Sequence, residues 1–444
     1  MAHLHIGLDD TDSPNKGCTT YITALLVERL AKLGTEFVDY PNLVRLNPNV
    51  PWKTRGNGAL CLRIHCQEKL IENIKETVLT LVEEQSDFDC TGTDPGVVFF
   101  FGKTIPTEVK TFAEGTIQGV VKLKDALELV KKFGAEAVGY KSGRGVIGAL
   151  AAIGETLEND HTYELIAYRL PSNYGTKRLL DAASVKTMDE STQPLTFNNI
   201  DPQKNRILIT PRGPDPIFFG IRGENPEVVK KAFSMIRPGE PIERWVIFRT
   251  NQGTDAHLRR LEDIGDVQPY QPVTIKGRVS SEPRTIPLRH VIFSIDDDTA
   301  NVDCAAYEPT GDLRKSARLL IIDDEVEASG GVRPASGTRP LTINLEKMRI
   351  IKLAPKMKLH NPKCLRCGKT LTSMGKAQGF RCEKCGLKSK QLAKIQTLET
   401  RHLSEKLYIT SPHSQRHLTK PFRRYGQEKN LDLKTLRMIP EWHS

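Results

Sequence analysis

The sequence contains no apolar run near the roughly 18 residues that a membrane-crossing helix needs. Its N-terminus, MAHLHIGLDD, turns acidic at once and lacks a basic leader followed by an apolar stretch, which argues against a secretory signal. A cytoplasmic protein with no membrane partner is therefore expected. Tandem repeats and low-complexity tracts are missing too, and no feature points to an obligate protein partner. Five of the nine cysteines, Cys18, Cys61, Cys66, Cys90 and Cys304, are scattered without framework spacing, which excludes a disulfide scaffold and fits a reducing compartment. Disorder throughout is excluded, because 38% hydrophobic and 27% charged residues leave enough apolar surface for real cores. At roughly 100–200 residues per domain, 444 residues make about three domains, give or take one.

The charge is unevenly placed. Residues 355–444 hold 20 Lys and Arg against 6 Asp and Glu, while the first 354 residues hold 44 against 48. A near-neutral body with a basic C-terminal quarter suits a polyanion, most simply nucleic acid. A solvated basic tail is the alternative.

Periodicity divides the chain into four units. Residues 1–136 alternate strands and helices, as in an α/β domain: a buried strand over 3–8, a helix from 18 to 33, strands at 42–46, 58–66 and 97–102. Residues 137–262 open with GYKSGRGVIGALAAIG and continue as strand, helix and strand, the pattern of a ferredoxin-like α+β domain. Residues 263–354 hold five short strands with a polar helix between the third and fourth, the order of an OB-fold barrel. Residues 355–444 carry two cysteine pairs and a basic tail, read as a zinc ribbon and its extension.

The strongest motif is Cys364-x-x-Cys367, followed by Cys382-x-x-Cys385, each pair trailed by a glycine. Two such turns present four thiolates to one tetrahedral ion, so structural Zn²⁺ is expected, in a ribbon with no open coordination position. Asp9, Asp10 and Asp12 sit where a strand ends and a helix is about to begin. Clustered carboxylates there suit Mg²⁺ held with nucleotide phosphates, or serve a turn and helix cap. Between two strands, RLNPNVPWKTRGNG packs Asn47, Lys53, Arg55 and Asn57 into a donor-rich loop fit to clamp a phosphate or a substrate. Asp94, in TGTDPG, marks either a plain turn or a site floor. Lys141 and Arg144, in KSGRG before a small-residue helix, form an anion site unless the glycines serve only close packing. In the tail, Arg416, His417, Lys420, Arg423, Arg424 and Tyr425 suit phosphates and stacked bases, or a solvated helix.

These pieces converge. IGLDDTDSPNKGCTTYITALL, RLNPNVPWKTRGNGA, TDPG, GYKSGRGVIGALAAIG and YELIAYR resemble the archaeal 2-agmatinylcytidine synthetases that act on the CAU-anticodon isoleucine tRNA. The order of units matches over nearly the whole chain. The resemblance implies a kinase-like first domain and an ATP-dependent ligase. Phosphoryl activation of the wobble cytidine's 2-oxo group would let agmatine displace it, and ATP would go to AMP and phosphates. It implies Mg²⁺ and phosphate handling at Asp9 and Asp10, with Asp12 beside them, and autophosphorylation at Thr19. Lys53, Arg55 and Asn57 are then expected at phosphate or base, and Asn47 and Asp94 at cytidine or agmatine. Arg416, Lys420, Arg423 and Arg424 are expected on RNA. Two rivals remain: a non-catalytic OB-fold and zinc-ribbon RNA-binding protein, and an ATP-dependent RNA-modifying enzyme using another amine.

Overall fold

A computed structural model describes residues 1–14, 16–429 and 437–444, so residues 430–436 of the expected last unit lie outside the described residues. The N-terminal part supplies β1 (Ala2–Asp9), α1 (Thr19–Lys32), β2 (Glu36–Phe37), β3 (Asn42–Arg45), β4 (Gly58–Cys66), α2 (Ile71–Gln85), β5 (Gly96–Phe101), α3 (Thr107–Gln118), α4 (Leu123–Lys132), β6 (Glu136–Gly139) and α5 (Gly145–Gly154). There follow β7 (Thr162–Arg169), α6 (Ala182–Thr192), β8 (Thr196–Phe197), β9 (Ile200–Asp201), β10 (Arg206–Ile207), β11 (Ile217–Gly223), α7 (Pro226–Met235) and β12 (Ile242–Thr250).

Both stretches share one ten-stranded sheet, in the order β6-β5-β1-β4-β3-β12-β7-β11-β8, with β2 added on β4. The seam is the short parallel pairing of β3 with β12. Arg249 pins it. Fully buried, this guanidinium pairs with Asp39 and donates to the carbonyls of Leu157 and Thr156, each at 3.0 Å. Asn251 prolongs the ladder, accepting from Arg45 N at 2.8 Å and donating to Arg45 O at 3.0 Å. The expected division after residue 136 falls inside the sheet, since β6 pairs with β5. Helix α5 lies across β1, β4 and β5, because its Gly and Ala residues allow close approach.

Two elements escape the periodicity. α6 buries only Val185 and Met188 among large apolar side chains and is started by an Asp181 cap accepting from Ala183 N. β11 reads IFFGIRG and buries both of its phenylalanines.

The next segment holds β13 (Arg259–Arg260), β14 (Pro272–Val279), β15 (Arg284–Ile286), β16 (His290–Asp296), β17 (Asn301–Ala306), α8 (Asp312–Ala317), β18 (Glu325–Arg333) and β19 (Thr342–Lys352). Strands β14-β18-β19-β17-β16 close into a barrel through the β14–β16 pairing, around Val273, Ile275, Phe293, Ile295, Val326 and Ile343. The alternating burial along β16 points one face into that core. Beyond the barrel lie β20 (Met357–His360), β21 (Thr372–Ser373), β22 (Phe380–Arg381), β23 (Lys388–Ser389), β24 (Ile395–Leu398) and β25 (Leu407–Ile409).

The chain then returns to the body. β25 pairs with β19, Trp442 is buried in the main core, and Ile439 N donates to the Tyr40 hydroxyl at 2.8 Å. No helix among the described residues is long and apolar enough to cross a membrane.

Candidate active site

A cleft of about 580 Å³ opens beside the end of β1. Its walls are Asp9, Asp10 and Asp12, the first turn of α1, the 45–58 loop, the start of α5, the 211–217 segment and His417 from the tail. The fold brings these together because the sheet seam sets the 45–58 loop against the second half of the sheet.

Helix α1 begins at Thr19 without a side-chain cap and without an acidic residue in its first turn. Its open amide groups face the cleft, an arrangement that favours an anion. The Thr19 hydroxyl accepts from Thr11 at 3.0 Å and lines the cleft. Asp9 is crowded by Gly148: a Cβ there would stand 1.8 Å from the Asp9 carboxylate oxygen. Burial, and then the neighbouring Asp10 charge, raise the Asp9 carboxyl well above its usual range. Burial also raises Asp10, although Arg144 opposes it.

The cations are paired with these acids. Arg55 donates to Asp12 at 2.7 Å and to Gly17 O at 2.6 Å, and reaches Asp215 at 3.5 Å. Arg144 donates to Asp10 at 3.0 Å and to Gly92 O at 2.8 Å, and stands 3.3 Å from Asp94. Lys53 lines the cleft without a carboxylate partner among the described residues; burial, and then the charge of Arg416, lower its ammonium from the usual range. Asn57 adopts φ 49°, which Asn tolerates, and donates to Asn47 O at 2.7 Å.

The other expected residues take these places. Asn47 lies on the cleft wall, but its amide is occupied, donating to Gly119 O at 2.7 Å and Tyr270 O at 2.9 Å. Asp94 stands behind Arg144 and is not part of the cleft lining. Lys141 points away, toward the carbonyls of Phe88 and Cys90. Each of the four tail cations meets a carboxylate of the slightly acidic body. Arg424 is fully buried between Glu224 at 2.7 Å and Asp160 at 2.8 Å. Lys420 is buried against Glu428 and Asp160, Arg423 meets Asp189 at 3.1 Å, and Arg416 reaches Glu346 at 3.5 Å.

Sequence reasoning missed Arg212 and Asp215, gave Arg45 no role of its own within the donor-rich loop, and grouped His417 with the tail's phosphate-binding candidates rather than with the cleft. Arg45 sits inside the motif already singled out. A Cβ at Gly56 or Gly58 would approach its guanidinium to 2.8 or 2.9 Å, which explains the RGNG glycines. His417 lines the cleft, with its Nδ1 2.9 Å from the Arg222 guanidinium and 3.0 Å from Gln252 Oε1. Burial, then Arg45 and Arg222, hold its pKa well below the ordinary value, so the ring is neutral.

In the ribbon, Cys364 and Cys385 sulfurs lie 3.5 Å apart, Cys367 and Cys382 3.4 Å, and all four within 4.8 Å of one another. A tetrahedral zinc with Zn–S near ~2.3 Å fits that spacing. Backbone amides, Cys385 N first, lower the Cys382 thiol, whereas Cys385 is raised despite the Leu387 amide by burial and the neighbouring sulfurs, a crowding that a bound cation relieves. The site is a structural zinc centre.

Three domain descriptions of one family match the chain: the TiaS TCKD domain over residues 5–142, the TiaS FLD domain over 143–257 and the TiaS C-terminal zinc ribbon domain over 361–403. The isoleucine-2 tRNA 2-agmatinylcytidine synthetase TiaS of Pyrococcus horikoshii is 44% identical over 418 residues, covering 94% of this chain and 96% of its own. A crystal structure of TiaS in complex with isoleucine-2 tRNA and ATP is similar with TM-score 0.86 and 37% identity, covering 96% of this chain and 98% of that one. The complex of TiaS with isoleucine-2 tRNA, AMPCPP and agmatine is similar with TM-score 0.82 and 34% identity, over 96% and 98%. The chain belongs to the TiaS family of isoleucine-2 tRNA 2-agmatinylcytidine synthetases.

Proposed function

We propose that this protein is the ligase that joins agmatine to C2 of the wobble cytidine of the CAU-anticodon isoleucine tRNA, consuming ATP and acting in the cytoplasm. The observation that carries the reading is the cleft, where an uncapped helix start, a carboxylate cluster and five cations (Arg45, Lys53, Arg55, Arg144 and Arg212) surround a space of about 580 Å³. Its relatives with solved complexes bind isoleucine-2 tRNA, ATP or its analogue, and agmatine. We read the chain as a kinase-like unit (1–136), a ferredoxin-like unit (137–262), an OB-fold barrel (263–354) and a zinc ribbon with its tail (355–444). The first two are fused through the sheet.

The chemistry follows from a poor leaving group. A ring carbonyl oxygen does not depart as oxide, but it departs as phosphate. The cytosine O2 takes a phosphoryl group as a P–O bond of ATP breaks. The agmatine amine then attacks C2, the C2–O bond breaks, phosphate leaves, and the amine loses a proton. Water cleaves the remaining phosphoanhydride bond of the ADP so formed, so that ATP ends as AMP and two phosphates. The raised carboxyls of Asp9 and Asp10 fit a divalent cation, since a nearby positive charge relieves both burial and mutual repulsion. Mg²⁺ held there supplies charge neutralisation for the phosphates. The α1 amide groups orient a phosphate oxygen or a phosphorylated Thr19. Lys53 and, once their carboxylate partners turn to the cation, Arg55 and Arg144 stabilise charge on the transferred group. Asn57 holds the loop that carries Lys53 and Arg55. Asp12 and Asp215, bridged at rest by Arg55, face the cleft as carboxylates for a cationic amine.

The test is an isotope label. A CAU-anticodon transcript with ¹⁸O at the wobble O2 is incubated with protein, ATP, Mg²⁺ and agmatine. The ¹⁸O is expected in released phosphate. Agmatine-bearing product with unlabelled phosphate overturns the phosphoryl activation.

A further inference from the structure

With the tail cations paired internally, the question arises which cations grip the RNA near the cleft. The 211–217 segment forms the cleft rim, and a single guanidinium braces it. Arg178 donates to Ile217 O at 2.7 Å, Pro211 O at 3.1 Å, Gly213 O at 2.8 Å and Asp215 O at 2.8 Å. Arg212 projects from this braced strap. It is exposed and makes no side-chain hydrogen bond or ion pair among the described residues, and the same is true of Arg206. In a molecule whose tail cations named above are all paired, two unpaired arginines on one groove stand out.

Arg212 also joins two concavities. It lines the cleft, and it lines a groove of about 300 Å³ that runs from the cleft past Arg206, Arg222 and His413. His417 is shared by both spaces as well. Among the described residues, no Asp or Glu lines the groove. The floor cation Arg222 is held by Glu164 at 3.0 Å, and His413 is held by Asp201, with Lys204 3.3 Å from its other nitrogen. The groove thus combines a fixed polar floor with free guanidinium groups on its rim. That is the chemistry of a phosphodiester track: cations on rigid backbone, walls without carboxylates, and continuity with the place where one base must be held.

We propose that the RNA strand carrying the target nucleotide leaves the cleft over Arg212 and lays its flanking phosphates in this groove, with Arg206 as the second contact. The inference rests on the RNA-modifying reading of the cleft and adds the path of the strand.

Anisotropy of a labelled CAU-anticodon transcript with the full chain, over a sodium chloride series, tests it. Arg212→Ala and Arg206→Ala each remove an exposed charge without disturbing a core. Each is expected to lower the slope of log affinity against log salt by about 0.7, and the double variant by about 1.4, as for single-strand phosphate contacts. Arg212→Lys keeps the slope. The KM for tRNA rises several-fold in the double variant, while ATP binding without tRNA is unchanged. Equal slopes and equal tRNA KM in wild type and double variant overturn the track. Loss of ATP affinity at unchanged slope also overturns it, assigning Arg212 to the nucleotide. If the variants lower the slope as expected yet wild type forms no agmatine adduct, the track stands and the ligase reading falls.

Discussion

Replacement of Arg424 separates a buried structural cation from an RNA-binding one. Its guanidinium donates to Glu224 at 2.7 Å, to Asp160 at 2.8 and 3.0 Å, and to Gly253 O at 2.7 Å, and no part of it reaches solvent. Breaking a buried pair by removing one partner costs about 3–5 kcal/mol, because the other charge stays desolvated. Here two carboxylates are left, but neither is abandoned. Lys429 stays 3.1 Å from Glu224, and Lys420 stays 3.4 Å from Asp160. The lower end of the range, about 3 kcal/mol, is therefore expected for Arg424→Met, which keeps most of the packing volume. Arg424→Ala adds the lost contact with Phe197 and costs more. Thermal and urea unfolding of both variants beside wild type measure this, with a fall in Tm on the order of 3–6 °C for the Met variant. The salt dependence of tRNA binding by the folded variant should match wild type. An unchanged Tm together with a salt slope lowered by about 0.7 would refute the structural role and restore Arg424 to the RNA surface.

Other consequences are equally direct. Gly148→Ala places a methyl group against the Asp9 carboxylate, so it should abolish product formation while leaving the zinc ribbon and barrel folded, as read by turnover beside circular dichroism. Glu346 titrates near about 2: burial alone would raise it, but His257, Arg416 and Thr419 outweigh burial. A carboxyl depressed in the fold contributes stability above its ordinary 4.5, and that stability is lost as pH falls toward 2. The stake is about 3 kcal/mol at roughly 1.4 kcal/mol per unit, so Glu346→Gln should flatten the acid limb of urea-unfolding curves in that window and lower stability at neutral pH. Chelation should release a single zinc per chain and unprotect amides of residues 361–403 to hydrogen exchange, because their core is little more than Leu371, Phe380 and the four cysteines. Protection in the ten-stranded sheet should persist.

What was legible in the sequence was local. The cysteine spacing states the zinc site outright, and the DDTD and RGNG segments carry their carboxylates, cations and glycines in contiguous stretches. Strand boundaries such as 58–66 and 301–306 follow from apolar runs between turn residues. What escaped depends on partners far along the chain. Arg424 meets Glu224 across 200 positions, and nothing near Arg424 announces a carboxylate. The tail therefore reads as free charge when it is a strap that returns through β25 and delivers His417 to the cleft. The sheet seam is equally remote, since β3 and β12 pair over only two residue pairs. α6 escaped because its few buried apolar residues do not make a helical stripe, and the Arg178-braced loop because its order comes from one guanidinium rather than from any pattern.

Joining of agmatine to the wobble cytidine at the expense of ATP leaves a signature in the mass of one nucleotide. Mass spectrometry of a nuclease-digested CAU-anticodon isoleucine tRNA transcript, incubated with the protein, ATP, Mg²⁺ and agmatine, tests it directly. An Asp9→Ala variant and a reaction without ATP run alongside. The expected result is a mass gain for agmatine condensation with loss of water, confined to the wobble nucleotide and absent from both controls. An unmodified wobble cytidine despite salt-sensitive tRNA binding and a zinc-loaded ribbon, or the same gain without ATP, would contradict it.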